Sequence, residues 1–349
     1  MLYLPEDVLN NTGERRCHSL TSWKKILSGS LLSFESLWLL YKTIPAGHAP
    51  AFRELAYARA RNKSVSYTEI TLVTQASTNK LFRLVQLLDH WNGPISCAVY
   101  LPSEESIQDL FSFVESQNQL FHNMVTLHTL LERLLPGFSS YPINRLRNLA
   151  LENIDTEYFF YVDIDFMPST NMHKHLKDFF IQNKEPKRFS TLYVIPAFEL
   201  NRGIHKIPGS QGELLDMISR REAQGFHMDH FSPGHNSTNF NQWYSCHTNG
   251  TYPIQYQYMF EPYVAGSRYG LHRFDDRFRG YGFNKWTWVA EANFRGYNFE
   301  VLCGVFLVHM THKHNAQRKI HTKIVELQYW YEKIYWPIRY NITIGHHVE

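Results

Sequence analysis

The chain has no uninterrupted apolar run of the roughly 20 residues that a membrane-spanning helix needs. Its most apolar early segment, Ile26 to Tyr41, is broken by Glu35 and several serines. Glu6, Asp7, Glu14, Arg15 and Arg16 interrupt what would otherwise be a signal peptide. Charge of one sign is scarce as well. The formal net charge is +3 with 19 histidines counted as neutral, too weak to imply nucleic acid and no obstacle to an anionic nucleotide. Cysteine is sparse: Cys17, Cys97, Cys246 and Cys303 form no C-x-x-C pair, which disfavours a structural zinc site and leaves three disulfide pairings open. G-x-G-x-x-G, the Walker A string and G-x-S-x-G are all absent, which disfavours nicotinamide-type Rossmann enzymes, P-loop enzymes and α/β-hydrolases.

What is present is an ordinary globular balance with many aromatics, 15% of 349 residues, enough for a large core or for stacking on sugars and bases. The length fits one large domain or two intimately packed ones. Five N-x-S/T sequons, at Asn10, Asn62, Asn236, Asn249 and Asn341, lean toward a secretory compartment.

Taken in order, residues 1–64 read as a peripheral region with helical patches at Ile26–Lys42 and Ala51–Arg61. From Ser66 the pattern alternates between apolar runs and helical periodicity. Ser66 to Thr74 reads as a strand, Leu81 to Leu88 as a helix, Ile95 to Leu101 as a strand, and Ser103 as the cap of another helix. That alternation predicts a parallel sheet with helices on its faces. The expected organisation is a catalytic domain over 65–335, a nucleotide half to about 180 and an acceptor half beyond it, then a tail over 336–349. Single strands are expected at 158–166, 191–197 and 299–309, and residues 201–260 read as loop-rich.

The first of those strands carries the chemistry. Tyr158 to Phe166 is aromatic and β-branched and contains Asp163 and Asp165. In a strand, residues two apart share a face, so two repelling carboxylates would point the same way. A divalent cation, Mg²⁺ or Mn²⁺, relieves that repulsion and takes the rest of its shell from water and phosphate. The bland alternative is a pair of solvated loop acids. His309, at the end of another apolar run, is a candidate third ligand; His309, His312 and His314 together would be the zinc alternative. Arg145 and Arg147, on a helix just upstream, are candidates for a phosphate.

With these pieces in order, the chain resembles the LARGE-type xylosyl- and glucuronyltransferases and the related β-1,4-glucuronyltransferase, glycosyltransferase family 49. The resemblance runs from about Thr71 to His314 through TLVTQAS (71–77), HWNGPIS (90–96), YPINRLRN (141–148), DIDFMPS (163–169), VIPAFE (194–199), FEPYV (260–264), FDDRFRGYGFNK (274–285) and FLVHMTH (306–312). It implies an α/β GT-A fold, a Rossmann-like sheet flanked by helices and joined to an acceptor half. It implies a UDP-sugar donor, Mn²⁺ or Mg²⁺ on Asp163, Asp165 and His309, and a donor site near Thr74, Gln75, Asn144 and Arg147. It also implies a glycan or glycoprotein acceptor, a luminal Golgi location, and possible assembly with itself or another glycosyltransferase.

The reaction so implied inverts the donor sugar, glucuronic acid first, with xylose or N-acetylglucosamine as alternatives. Such a displacement needs a base for the acceptor hydroxyl. Gly282-Phe283-Asn284-Lys285 stands where some other inverting GT-A enzymes carry Gly-Glu-Asp, and neither Asn284 nor Lys285 can serve. Glu291 and Asp275 are therefore the candidate bases, against structural pairing of Asp275 with Arg277 or Arg279 and of Glu291 with Lys285. Lys285 or Arg147 could meet a donor carboxylate, and His235, in GHNSTNF, could meet donor or acceptor. The rival readings are a catalytically inactive binding protein on the same fold and a metal-dependent phosphoesterase.

Overall fold

The structure, a computed structural model, describes residues 52–58 (as backbone), 69–103, 105–132, 141–183, 190–246, 250–280 and 282–310. All of them lie in the compact unit from Ala51 to Glu349. The expected helix at Ile26–Lys42, the tail at 336–349, and Cys17, His312 and His314 fall outside the described residues.

The first half builds the α/β layers. Strand β2 (Ile70–Ser77) leads into helix α1 (Leu81–Trp91), which buries Leu81, Leu84, Leu87, Leu88 and Trp91 along one stripe. Asn92, in the left-handed region at φ 54°, ends α1 and turns the chain into β3 (Ile95–Leu101). Helices α2 (Glu105–Glu115) and α3 (Gln119–Met124) precede β4 (Val125–Glu132). Helix α4 (Ile143–Glu152) then delivers the chain to β5 (Tyr158–Tyr161). Strands β4, β3, β2 and β5 pair in parallel, in that order. β2 and β3 are buried on both faces, which is why each reads as a nearly continuous apolar run.

Phe52–Ala58 is strand β1, antiparallel to β4, and not the helix its composition suggested. The open edge of β4 offers a row of unpaired backbone groups, and pairing with it outweighs a weak local helix preference. The sheet thus begins ahead of the boundary expected at residue 65.

The other long apolar runs do not behave as single strands. Tyr158–Phe166 divides into β5 and β6 (Phe166–Pro168). Thr191–Ala197 divides into β7 (Thr191–Ile195) and β8 (Ala197–Leu200). Phe299–His309 divides into β12 (Asn298–Leu302) and β13 (Leu307–His309). In each case the first part joins the nine-stranded sheet, ordered β1-β4-β3-β2-β5-β11-β7-β12-β10, with β10 at Thr251–Ile254 and β11 at Tyr263–Ser267. The second part joins a four-stranded sheet, β6-β13-β8-β9, with β9 at Ala223–Gly225. Pro196 breaks one run, lacking an N–H for a ladder, and Gly304, at φ 76°, bends another. Three crossings side by side make a seam between the sheets, tied by Leu307 N–H to Pro196 O at 2.8 Å and Ser169 N–H to Phe306 O at 2.9 Å.

Residues 201–260 hold more regular structure than expected. Helix α5 (Met172–Gln182) lies upstream, and the segment itself contains helix α6 (Gln211–Ser219) and helix α7 (Phe240–Tyr244). A capping box signals α6 in the sequence: Ser210 Oγ accepts from Glu213 N–H, and the Glu213 carboxylate reaches back to Gly209 N–H at 2.7 Å. Cys246 and Cys303 form a disulfide across 57 residues, and Cys97 is a buried free thiol. Among the described residues, no helix is long and apolar enough to cross a membrane.

Ahead of β2, Glu69 receives His173 at 2.7 Å and Lys177 at 2.6 Å from α5. Burial works against its charge, but those two hydrogen bonds win and hold its carboxyl at about 2. A depressed folded value stabilises the protein above the unfolded carboxyl value and is lost as the pH falls toward the folded one. The melting temperature of the native protein should therefore exceed that of Glu69→Gln near pH 6, and the gap should close as the pH is lowered from about 4.5 toward 2. A gap of constant size across that range, in thermal scans, would show that the Glu69 charge adds nothing.

Candidate active site

The nine-stranded sheet reverses its order between β2 and β5, and ligands of open α/β sheets bind beyond the carboxyl ends of strands at such a point. Gln75 is near the end of β2, and Asp163 is the second residue after β5. The two meet there: Gln75 Nε2 donates to Asp163 Oδ1 at 2.6 Å. Thr74 is fully buried and, by strand alternation, faces away from Gln75.

Asp163 and Asp165 are not strand residues. Both lie in the turn that crosses the seam, so the shared-face argument does not hold for them. The two acids are in different surroundings. Asp163 Oδ1 also accepts from Tyr161 Oη at 2.7 Å and Arg147 Nη2 at 3.3 Å. Its Oδ2 accepts from Tyr263 Oη at 2.9 Å and lies 3.9 Å from Lys285 Nζ. Burial opposes the charge, but Arg147, then Lys285, and the hydrogen bonds from Tyr161 and Gln75 hold this carboxyl far below the usual range. Asp165 is bonded instead to the Lys80 ammonium, and its carbonyl accepts from Met310 N–H at 2.8 Å. His309 faces Phe166 across the β6–β13 pair, next in the chain to Asp165, with its ring against Phe166 and Phe226.

Helix α4 buries polar side chains along one face, an arrangement that requires partners. Arg147, 2% exposed, donates to Asn144 Oδ1 at 3.0 Å and Asn284 Oδ1 at 2.7 Å besides Asp163, and stacks over Tyr161 and Phe274. Its Nη1 and Nη2 groups are thus directed to the protein's own groups, while its buried Nε has no hydrogen-bond partner. Asn144 Nδ2 and Asn148 Nδ2 donate to the carbonyls of Asp275 and Phe274, at 2.9 and 2.8 Å, and Asn148 Oδ1 takes Phe274 N–H at 2.8 Å. Sequence reasoning missed Asn148, which pins the 274–276 loop; an asparagine four residues after another on a helix face is the signal. Gly282, at φ 88°, lets the chain turn Asn284 and Lys285 back toward this face. Lys285 Nζ lies 3.9 Å above the Tyr263 ring. His235 is buried with its ring edge-on to Phe226, and burial together with Lys285 keeps it neutral.

The two candidate bases are engaged elsewhere. Asp275 takes Arg277 through Nε at 2.9 Å and Nη2 at 2.5 Å, which is one of the structural pairings anticipated for it. Glu291, on helix α8 (Trp286–Phe294), pairs with Arg295 at 2.7 Å and not with Lys285.

Two carboxylates and an imidazole are donor types that suit a hard divalent cation. As the side chains stand, no group of three His, Cys, Asp or Glu among the described residues is placed to hold one. Lys80 sits on Asp165 as the local cation, so the fit to a metal is one of donor chemistry, centred on Asp165 and His309 at the seam.

A family model described as "Glycosyl-transferase for dystroglycan" matches residues 69–139 and 132–339. Mouse "Xylosyl- and glucuronyltransferase LARGE2" is 34% identical over 244 residues, covering 70% of this chain and 34% of its own length. Human "Xylosyl- and glucuronyltransferase LARGE1" is 34% identical over 245 residues, covering 70% of this chain and 31% of its own. The chain thus spans about a third of the length of these curated relatives. Among solved structures, S. aureus TarS residues 1–349 align over 79% of this chain and 76% of theirs, at 11% identity and a TM-score of 0.41. With the family model matching most of the described residues, and the acid turn, the asparagine-bearing helix and the Asn284–Lys285 loop all within the match, this chain belongs to the glycosyltransferase family described as acting on dystroglycan.

Proposed function

We propose that this chain is a glycosyltransferase unit that moves a sugar, with glucuronic acid the first choice, from a UDP-sugar to a glycan hydroxyl with inversion. One observation carries the reading: the acid turn stands at the reversal point of the sheet, where Gln75 and Asp163 close the ends of β2 and β5. Gln75 and the neighbouring backbone would receive the nucleoside. Arg147, itself held by Asn144, keeps Asp163 charged and in place. Lys285, 3.9 Å from Asp163, would meet an anionic sugar, and His235 the donor or the acceptor.

Asp165 and His309, with Asp163 behind them, would hold Mn²⁺ or Mg²⁺, and a bound ion would neutralise the charge developing on the leaving diphosphate. The Cys246–Cys303 disulfide supports an oxidising, secretory compartment such as the Golgi lumen.

The test is UDP release with MnCl₂ from UDP-glucuronic acid, UDP-xylose and UDP-N-acetylglucosamine, with linkage analysis of any product. The reading predicts turnover with at least one donor, strongest with UDP-glucuronic acid, and a β-linked product from the α-linked donor. Nucleotide binding without any turnover would favour an inactive binding protein, a reading to which the Lys80–Asp165 pair lends some support.

A further inference from the structure

With Asp275 held by Arg277 and Glu291 by Arg295, the proposed reaction lacks a base, and a third acid is better situated. Glu261 lies between two walls of the site. Its N–H donates to Gly234 O at 2.8 Å, which fixes it to the loop that carries His235. Trp286, at the first turn of α8 and directly after Lys285, is among the groups that favour its charged form. Two residues on, Tyr263 reaches Asp163 Oδ2 at 2.9 Å and carries Lys285 over its ring. Asp163 and Glu261 are the two carboxylates that act on Lys285. Glu261 keeps partial access to solvent, whereas Glu291 is closed off.

We propose that Glu261 is the general base of this site, the group that takes the proton from the acceptor hydroxyl. The assignment rests on the glycosyltransferase reading above. Asp163 cannot fill the role, because donors and cations occupy both of its oxygens. Burial raises the proton affinity of Glu261, while Lys285, Arg147 and the Trp286 N–H favour its charged form, a balance suited to a base that must accept a proton and later release it. In the step, the acceptor O–H proton passes to a Glu261 carboxylate oxygen. The acceptor oxygen forms a bond to the anomeric carbon, the bond from that carbon to the diphosphate oxygen breaks, and UDP leaves with the electron pair. Glu261 ends as a carboxylic acid and returns its proton to water as the product departs.

The test uses Glu261→Gln, which keeps the shape of the side chain and removes its charge. We expect kcat to fall by on the order of 10²–10⁴-fold, with donor KM and UDP affinity within a few-fold of the native protein. Glu261→Ala supplied with azide should form glycosyl azide at close to the native rate with azide, because azide is already an anion and needs no base. Retention of kcat within three-fold or so in Glu261→Gln would overturn the assignment. So would joint loss of UDP binding and turnover, or failure of azide to react in Glu261→Ala, since those mark a structural role. Native protein that turns over no UDP-sugar would sink the activity itself, and this assignment with it.

Discussion

Asp165→Asn is expected to lower Mn²⁺-dependent UDP release by about 100-fold or more, while the melting temperature moves by no more than a few degrees. The two effects separate because of where Asp165 sits. What holds its turn is the main chain, through the carbonyl that takes Met310 N–H at 2.8 Å, and an amide side chain leaves that bond intact. Its carboxylate pairs with Lys80, whose side chain is 34% exposed, and such a pair contributes only about 0–1 kcal/mol. The negative charge is what a divalent cation would require, and the amide lacks it. Turnover assays across a MnCl₂ titration, with thermal scans alongside, check both halves. Turnover above about a tenth of native would remove Asp165 from the site.

Arg147→Met is expected to behave in the opposite way and to cost about 3–5 kcal/mol of folding free energy. Methionine fills much of the volume but leaves the buried Asp163 carboxylate without its closest cation and the Asn144 and Asn284 side-chain oxygens without their donor. Lys285, at 3.9 Å, is a poorer substitute. Asp163→Asn should also destabilise, since it leaves Arg147 with reduced compensation. The double variant should then cost less than the sum of the two, because the charges are removed together. Urea denaturation of the four proteins measures the coupling. Strict additivity would mean that the 3.3 Å contact between Arg147 and Asp163 does not act as a pair.

The contrast between these two acids was not legible in the sequence, although their presence was. Asp163 and Asp165 look equivalent in a string ending an apolar run. The turn between β5 and β6 makes them different, sending one into a cage of phenols and cations and the other toward Lys80. The reason the turn was hidden is general to this fold. Tyr158–Phe166, Thr191–Ala197 and Phe299–His309 stay buried on both sides of the seam, so residue type barely changes where the chain passes from one sheet to the other. Only Pro196 and Gly304 mark breaks locally. The Phe52–Ala58 strand was hidden for a related reason, since its conformation is set by the edge of β4 that it pairs with.

The sequence by itself determined the α/β alternation that lays β2, β3 and β5 in parallel order, through its apolar periods and the break after Trp91, while β4 emerged only in the structure. It determined the family, through motifs kept in order from Thr71 onward. It also brought forward Gln75, Arg147, Asp163 and Lys285 as candidates, and in the structure the other three side chains lie about Asp163. Only the tertiary structure decided how they bear on one another. Gln75 meets Asp163 across 88 residues, Tyr263 meets it across 100, and Asn284 meets Arg147 across 137. Local preference carries no information over such separations. Burial at the seam forces these distant polar groups to find one another, whereas Asp275 and Glu291 take the exposed arginines two and four residues along, Arg277 and Arg295.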